Sequence, residues 1–257
     1  MSQTEPQVRA AEPGWFNSDS FLSGLRRVSI ICGGYGSGKT EVAVNLAVRL
    51  VEGGRVVSIA DLDIVNLYFR SREVRQQMRS YGISVLIPGE NLVNADLPIV
   101  LPEIRGALEE SPGHVILDLG GDPVGARVMR SLSGALKPSD YTGFIVLNSR
   151  RPRTGTVDGA RQIVDEIENT SGIAVTDIIA NSHLIEETDA SVIDEGIRLA
   201  EEVGRASSRR VALVTVERRM LSRFDAKACP YPVMVLDRLL LKPWEPSNWL
   251  GKHRINI

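Results

Sequence analysis

The stretch Gly33-Gly34-Tyr35-Gly36-Ser37-Gly38-Lys39-Thr40 fits the spacing G-x-x-x-x-G-K-[ST], the phosphate-binding P-loop. The apolar run Val28-Ser29-Ile30-Ile31-Cys32 precedes it and reads as a buried strand. The apolar-periodic stretch Glu41–Leu50 follows it and reads as a helix. A strand, a glycine loop and a helix in that order form the context in which the pattern becomes a site. Glycines let the backbone curl so that several N–H groups aim inward at phosphate oxygens. The helix N-terminus adds partial positive charge. The motif therefore assigns Gly34, Gly36, Ser37, Gly38, Lys39, Thr40 and Glu41 to the phosphate cradle and its first helical turn. Lys39 reaches the β- and γ-phosphates in this reading, and the Thr40 hydroxyl ligates Mg²⁺.

Short β-branched runs alternate with helical patterns through most of the chain. After the first strand, candidates are Arg55–Asp61, Ile83–Pro88, His114–Asp118, Thr142–Asn148, Ala174–Asn181, Arg210–Val216 and Pro232–Leu236. Helical patterns lie near Asn66–Tyr81, Leu97–Glu110, Gly125–Leu136, Gly155–Thr170 and Ala190–Val203. Several strands are continuous apolar runs, as expected where both faces are covered. The expectation is an α/β fold with a doubly wound, mostly parallel β-sheet and helices on both faces. Residues 27–238 form its single domain, 1–26 a tail whose Trp15, Phe16, Phe21 and Leu22 dock onto it, and 239–257 an irregular extension.

The 257 residues suffice for a substantial core, and 43% hydrophobic with 24% charged residues is ordinary for a soluble globular protein. A net charge of −2 gives no global field to recruit nucleic acid or an anionic membrane. No apolar run has the length of a membrane span, and Met1–Gly14 lacks a signal-peptide core. Cys32 and Cys229 lie far apart and form no C-x-x-C pair, which fits a reducing cytoplasm. Cys32 is expected to be a packing residue. The three histidines are scattered and suggest no zinc site.

In a parallel sheet the functional side chains follow the strands. Strand two ends Ala60-Asp61-Leu62-Asp63. The fourth ends Val115-Ile116-Leu117-Asp118, followed by Leu119-Gly120-Gly121-Asp122. Four apolar residues closing on an aspartate give a Walker-B type of signal, whose carboxylate holds Mg²⁺ mostly through water.

The P-loop, the Asp-x-Asp after strand two and the Asp-x-Gly-Gly after strand four together resemble the MinD/ParA group of P-loop ATPases. That group includes nickel-insertion ATPases and Mrp-type iron–sulfur carriers. The resemblance implies that Asp63 orients the attacking water, that Asp61 is the neighbouring switch carboxylate near the metal, and that Asp118 is the Walker-B residue. It implies that Asn181 contacts adenine, with Asn148 a weaker base-side candidate. One departure is plain. The family's early lysine, which reaches across a nucleotide-bridged dimer, is matched here by Gly34, followed by Tyr35. Arg70, Arg72, Arg150, Arg151 and Arg153 are arginines that could substitute for its charge. Metal-carrying cysteine pairs and a basic amphipathic C-terminal helix are also missing from the sequence.

Neither Asn148-Ser149-Arg150-Arg151 nor Asn181-Ser182-His183-Leu184 fits N-K-x-D, the guanine-reading pattern, so ATP is the expected nucleotide. The function implied is an ATP-driven, Mg²⁺-dependent cytoplasmic switch. It would cycle through a homodimer or a complex with a client protein, by family analogy a metallo- or redox enzyme. A small-molecule kinase or ATP-dependent ligase is the alternative, and a DNA-partitioning ATPase a more distant one.

Overall fold

The computed structural model describes residues 14–62, 72–86, 101–120, 123–241 and 255–256. Among the described residues nine strands form one sheet: β1 (Trp15–Phe16), β2 (Val28–Cys32), β3 (Val57–Asp61), β4 (Ile83–Leu86), β5 (His114–Asp118), β6 (Tyr141–Leu147), β7 (Asp177–Ala180), β8 (Arg210–Glu217) and β9 (Val233–Leu236). Their spatial order is β1-β9-β8-β7-β6-β2-β5-β3-β4. All neighbours run parallel except β1, which pairs antiparallel with β9. A small second ladder joins β10 (Leu240–Leu241) to β11 (Ile255–Asn256).

The helices are α1 (Asp19–Gly24), α2 (Lys39–Glu52), α3 (Arg72–Ser80), α4 (Leu101–Glu110), α5 (Pro123–Leu132), α6 (Val157–Ser171) and α7 (Ala190–Ser207). They cover both faces. On one, Leu46 and Leu50 of α2, Phe21 of α1 and Met78 of α3 pack on Ile31, Ile59, Ile116 and Phe144. On the other, α4 to α7 pack on Val28, Ile30, Leu117 and Ile145. Every residue of β2 and β6 is buried, which is why those strands read as unbroken apolar runs. The doubly wound, mostly parallel α/β architecture expected from the sequence is the one observed.

The differences are local. The helix expected at Gly125–Leu136 begins at Pro123, a residue suited to a first helical turn, and ends in a 3₁₀ turn over Ser133–Ala135. The strand expected from Ala174 begins at Asp177. At Gly143 a Cβ would lie 2.2 Å from the Ala174 carbonyl oxygen. The backbones there press together without a ladder, and register starts at Phe144↔Asp177. The aromatic docking segment contributes an edge strand, so the sheet starts at Trp15, ahead of residue 27. Asp63, Arg70 and Asp122 lie outside the described residues, as do the side chain of Arg72 and the first part of the helix expected from Asn66.

Candidate functional site

The central strand β2 delivers the glycine loop into α2. Gly36 (φ +73°) and Gly38 (φ +86°) both take the left-handed conformation, which costs glycine little and other residues more. Gly38 caps α2, and Lys39 is its first helical residue. Ser37 N–H donates to the Gly34 carbonyl at 3.1 Å, closing the curl, and Val42 N–H donates to Gly38 at 3.0 Å, starting the helix. Gly33 admits no side chain, since a Cβ would lie 2.7 Å from Ser37 Oγ and 2.8 Å from the Val146 carbonyl. The buried Ser37 hydroxyl has no hydrogen-bond partner among the described residues. A tight glycine turn at a helix N-terminus fits a phosphate group.

A cleft of about 500 Å³ extends from this loop along the carboxyl ends of β7, β8 and β9. Gly36, Gly38, Lys39, Thr40, Glu41 and Asn181 line it. Gly34, Ser37, Asp61 and Asp118 are not among the residues lining it. Asn181, which the sequence reading set at the base, uses its side chain within the protein. Nδ2 donates to the Ser37 carbonyl at 2.8 Å, and Oδ1 accepts from Thr215 Oγ1 at 2.6 Å. It ties the P-loop to β8. Asn148 is likewise buried, donating to the His183 carbonyl at 3.3 Å and accepting from Arg150 N–H at 2.9 Å.

Glu41, grouped by sequence with the cradle, turns its carboxylate onto the amides of Leu239 (2.7 Å) and Leu240 (3.3 Å). Burial pushes its pKa up to about 8, against the pull of these donors. The carboxylate anchors the segment that forms the C-terminal wall of the cleft. Glu217, also in the cleft, pairs with Arg219 at 2.8 Å. His183 was overlooked by sequence because no spacing marks it, although it follows β7 as a functional residue would. Burial, with the charges of Arg151 and then Arg238, pushes its imidazole down to about 4. It is neutral at pH 7.

Asp118 is fully buried at the end of β5, in register with Ile31 of β2 and with Asp61 of β3. Alternation puts Asp61 on the same face as Val57 and Ile59, and Asp118 on that of Ile116, so both lie on the α2 side. Burial pushes the Cys32 thiol up to about 12; among the weaker influences on it, Lys39 lowers and Asp118 raises. Both charges are therefore felt at the head of β2, and Cys32 itself is a packing residue. Among the described residues no group of three His, Cys, Asp or Glu side chains could hold a metal by itself. One hydroxyl and one or two carboxylates suit a Mg²⁺ ion that shares phosphate oxygens and water.

At Gly34, the position matched to the early lysine, a Cβ would lie 3.1 Å from Thr154 Cγ2 in the loop after β6 and 3.2 Å from Ile163 Cδ1 of α6, so a side chain there needs both neighbours to give by a few tenths of an ångström. Tyr35 beside it is exposed.

A parallel α/β sheet whose central strand runs through a glycine cradle into a helix is the P-loop NTPase fold. Solved structures of the same fold include the cell division protein FtsY of Thermotoga maritima (20% identity, TM-score 0.52, 79% of this chain and 66% of that one). Chloroplast FtsY of Physcomitrella patens matches at 20% identity and TM-score 0.51, over 74% of this chain and 58% of the other. FtsY of Mycoplasma mycoides matches at 17% identity and TM-score 0.50, over 74% and 60%. The matched region is less than two thirds of each of these chains. No protein-family profile and no curated protein matches the sequence.

Proposed function

We propose that this chain is a Mg²⁺-dependent ATP-binding and ATP-hydrolysing switch protein of the MinD/ParA-like kind. The observation that carries the reading is the join between cradle and cleft. Asn181 fixes the Ser37 carbonyl of the P-loop from the same wall that lines the 500 Å³ space, which supports reading the loop as the polyphosphate site and the cleft as the base site of one nucleotide. Loop amides and Lys39 hold the β- and γ-phosphates. Mg²⁺ supplies charge neutralisation at the phosphates, with Thr40, Asp118 and Asp61 as the protein groups suited to hold it. Asp63 orients the water that attacks the γ-phosphorus as the bond to the β-phosphate oxygen breaks, leaving ADP and inorganic phosphate.

Adenine is supported over guanine by the state of the cleft's carboxylates. Glu217 is paired with Arg219, and Glu41 accepts from backbone amides. Neither offers a ready acceptor to guanine N1 and its amino group. ATP binding closing a homodimer or a client complex in the cytoplasm, with a metallo- or redox enzyme as client, follows from the family resemblance. Among the described residues no helix is long and apolar enough to cross a membrane.

Nucleotide competition and phosphate release test this. ATP should displace a fluorescent ATP analogue well ahead of GTP, and Lys39→Ala should lower hydrolysis at least ~100-fold. Preferential GTP displacement would overturn the base assignment. Phosphate transferred to a small molecule in place of water would sink the switch reading. An assembly state unchanged by ATP in sedimentation would count against nucleotide-driven closure.

A further inference from the structure

Three arginines follow β6, and their fates differ. Arg150 pairs with Glu195 at 2.5 Å, and Arg153 pairs with Glu166 at 2.7 Å. Arg151 instead lies on the P-loop: its Nε donates to the Gly36 carbonyl at 2.9 Å. The guanidinium covers that glycine so closely that a Cβ would sit 3.1 Å from Nε and 3.3 Å from Cζ. No carboxylate among the described residues pairs with it.

We infer that Arg151 is a second cation of the phosphate site, supplied by the same chain, and that it binds the part of the polyphosphate common to nucleoside di- and triphosphates. The inference rests on the proposed nucleotide site. Arg151 belongs to the lining of the cleft, beside Gly36 and on the side of His183. His183 feels the Arg151 charge, while a Cβ on Gly38 would lie 3.2 Å from His183 Nε2. The guanidinium is thus bounded by the loop on one side and by the wall after β7 on the other. That position faces the stretch between cradle and base, where the α- and β-phosphates of a bound nucleotide lie. One N–H fixes the loop carbonyl, and the remaining planar donors suit phosphate oxygens.

Isothermal titration of the full chain with ADP and with a non-hydrolysable ATP analogue tests the assignment. Arg151→Ala should raise both dissociation constants by a similar factor, about ten-fold, and the loss should shrink as salt is raised. Arg151→Gln keeps a donor for Gly36 but not the charge, and should lose as much. Arg151→Lys should recover part of the affinity. Unchanged affinities in the alanine variant, wild-type affinity in the glutamine variant, or a loss confined to the triphosphate would each overturn the inference. A wild-type chain that binds neither nucleotide would overturn the proposed function and this inference with it. Matched thermal unfolding of the variants without nucleotide separates lost contact from lost fold.

Discussion

Asn181 braces the site from within the protein. It is buried, its amide N–H holds the P-loop at Ser37, and its oxygen accepts from Thr215 on the next strand. Removing it leaves the Ser37 carbonyl without its side-chain donor and the Thr215 hydroxyl with only its longer bond to the Ala180 carbonyl at 3.3 Å, at about 1–3 kcal/mol for a buried group left unsatisfied. Asn181→Ala is therefore expected to lower unfolding free energy by about 2 kcal/mol in urea titrations and to weaken nucleotide binding by loosening the loop. Gly38→Ala meets the same residue from the other side: its Cβ would lie 2.4 Å from Asn181 Nδ2, at a φ that L-residues avoid. A folded alanine variant with wild-type nucleotide affinity would contradict this geometry. His183 adds a pH signature. Its folded pKa, about 4, lies below the unfolded value of 6.5. The unfolded chain takes up the proton first as pH falls, so stability present above pH 6.5 is lost between 6.5 and 4, by up to ~3 kcal/mol. His183→Gln should flatten that part of the pH–stability curve. Position 181 was legible only as the adenine-side asparagine that the family resemblance implies. Its bracing role was not, because Thr215 sits 34 residues away on another strand.

Among the elements, α2 links cradle, sheet and C-terminal wall. Its N-terminus is the P-loop, and its apolar face packs on Ile31 and Ile116. Its buried polar residues reach the segment after β9. Asn45 Nδ2 donates to the Asp237 carbonyl at 2.9 Å, and Asp237 N–H donates to Asn45 Oδ1 at 2.8 Å. Arg49 bonds the Asp237 carboxylate and the Val235 carbonyl. Arg218 also holds that carboxylate, at 2.5 Å. Together the two arginines keep the Asp237 carboxyl below its ordinary range although burial pushes the other way. The helix was recognisable from apolar spacing beside a P-loop. Asn45 and Arg49 were not, because a single sequence does not distinguish a buried polar partner from a solvated one. Asn45→Ala deletes a reciprocal pair of hydrogen bonds in a nearly inaccessible place, and should cost about 2 kcal/mol. Because Leu236 and Leu240 line the cleft beyond that tether, the same variant should bind ATP more weakly. A calorimetric titration showing full affinity with reduced stability would separate the tether from the site.

At the scale of the whole molecule, the sheet joins segments far apart in sequence, and that order was the least legible part of the fold. Alternating strands and helices imply parallel pairing with crossovers. They do not say that β2 lies between β5 and β6, or that β1 closes the far edge against β9. Trp15 and Phe16 read only as aromatics that bury somewhere. Their antiparallel pairing with Met234 and Val233 depends on a partner more than 200 residues away. The segment after β1 carries Phe21, which is buried against Phe144 of the central sheet at a centroid distance of 6.0 Å and meets Trp15 at 5.8 Å. It therefore covers the same face as α2. Deleting residues 1–25 would uncover the hydrogen-bonding edge of β9 and the apolar surface under Phe21. Loss of one buried aromatic alone costs about 2–3 kcal/mol, and an unprotected parallel edge invites pairing with another chain. The truncated chain should unfold at lower urea concentration and scatter light increasingly with protein concentration. Since β9 ends at Leu236 in the cleft wall, added ATP should restore part of the lost stability by mass action. A truncated chain that is as stable as the full one and no more prone to associate would show that β1 and α1 merely rest on the sheet.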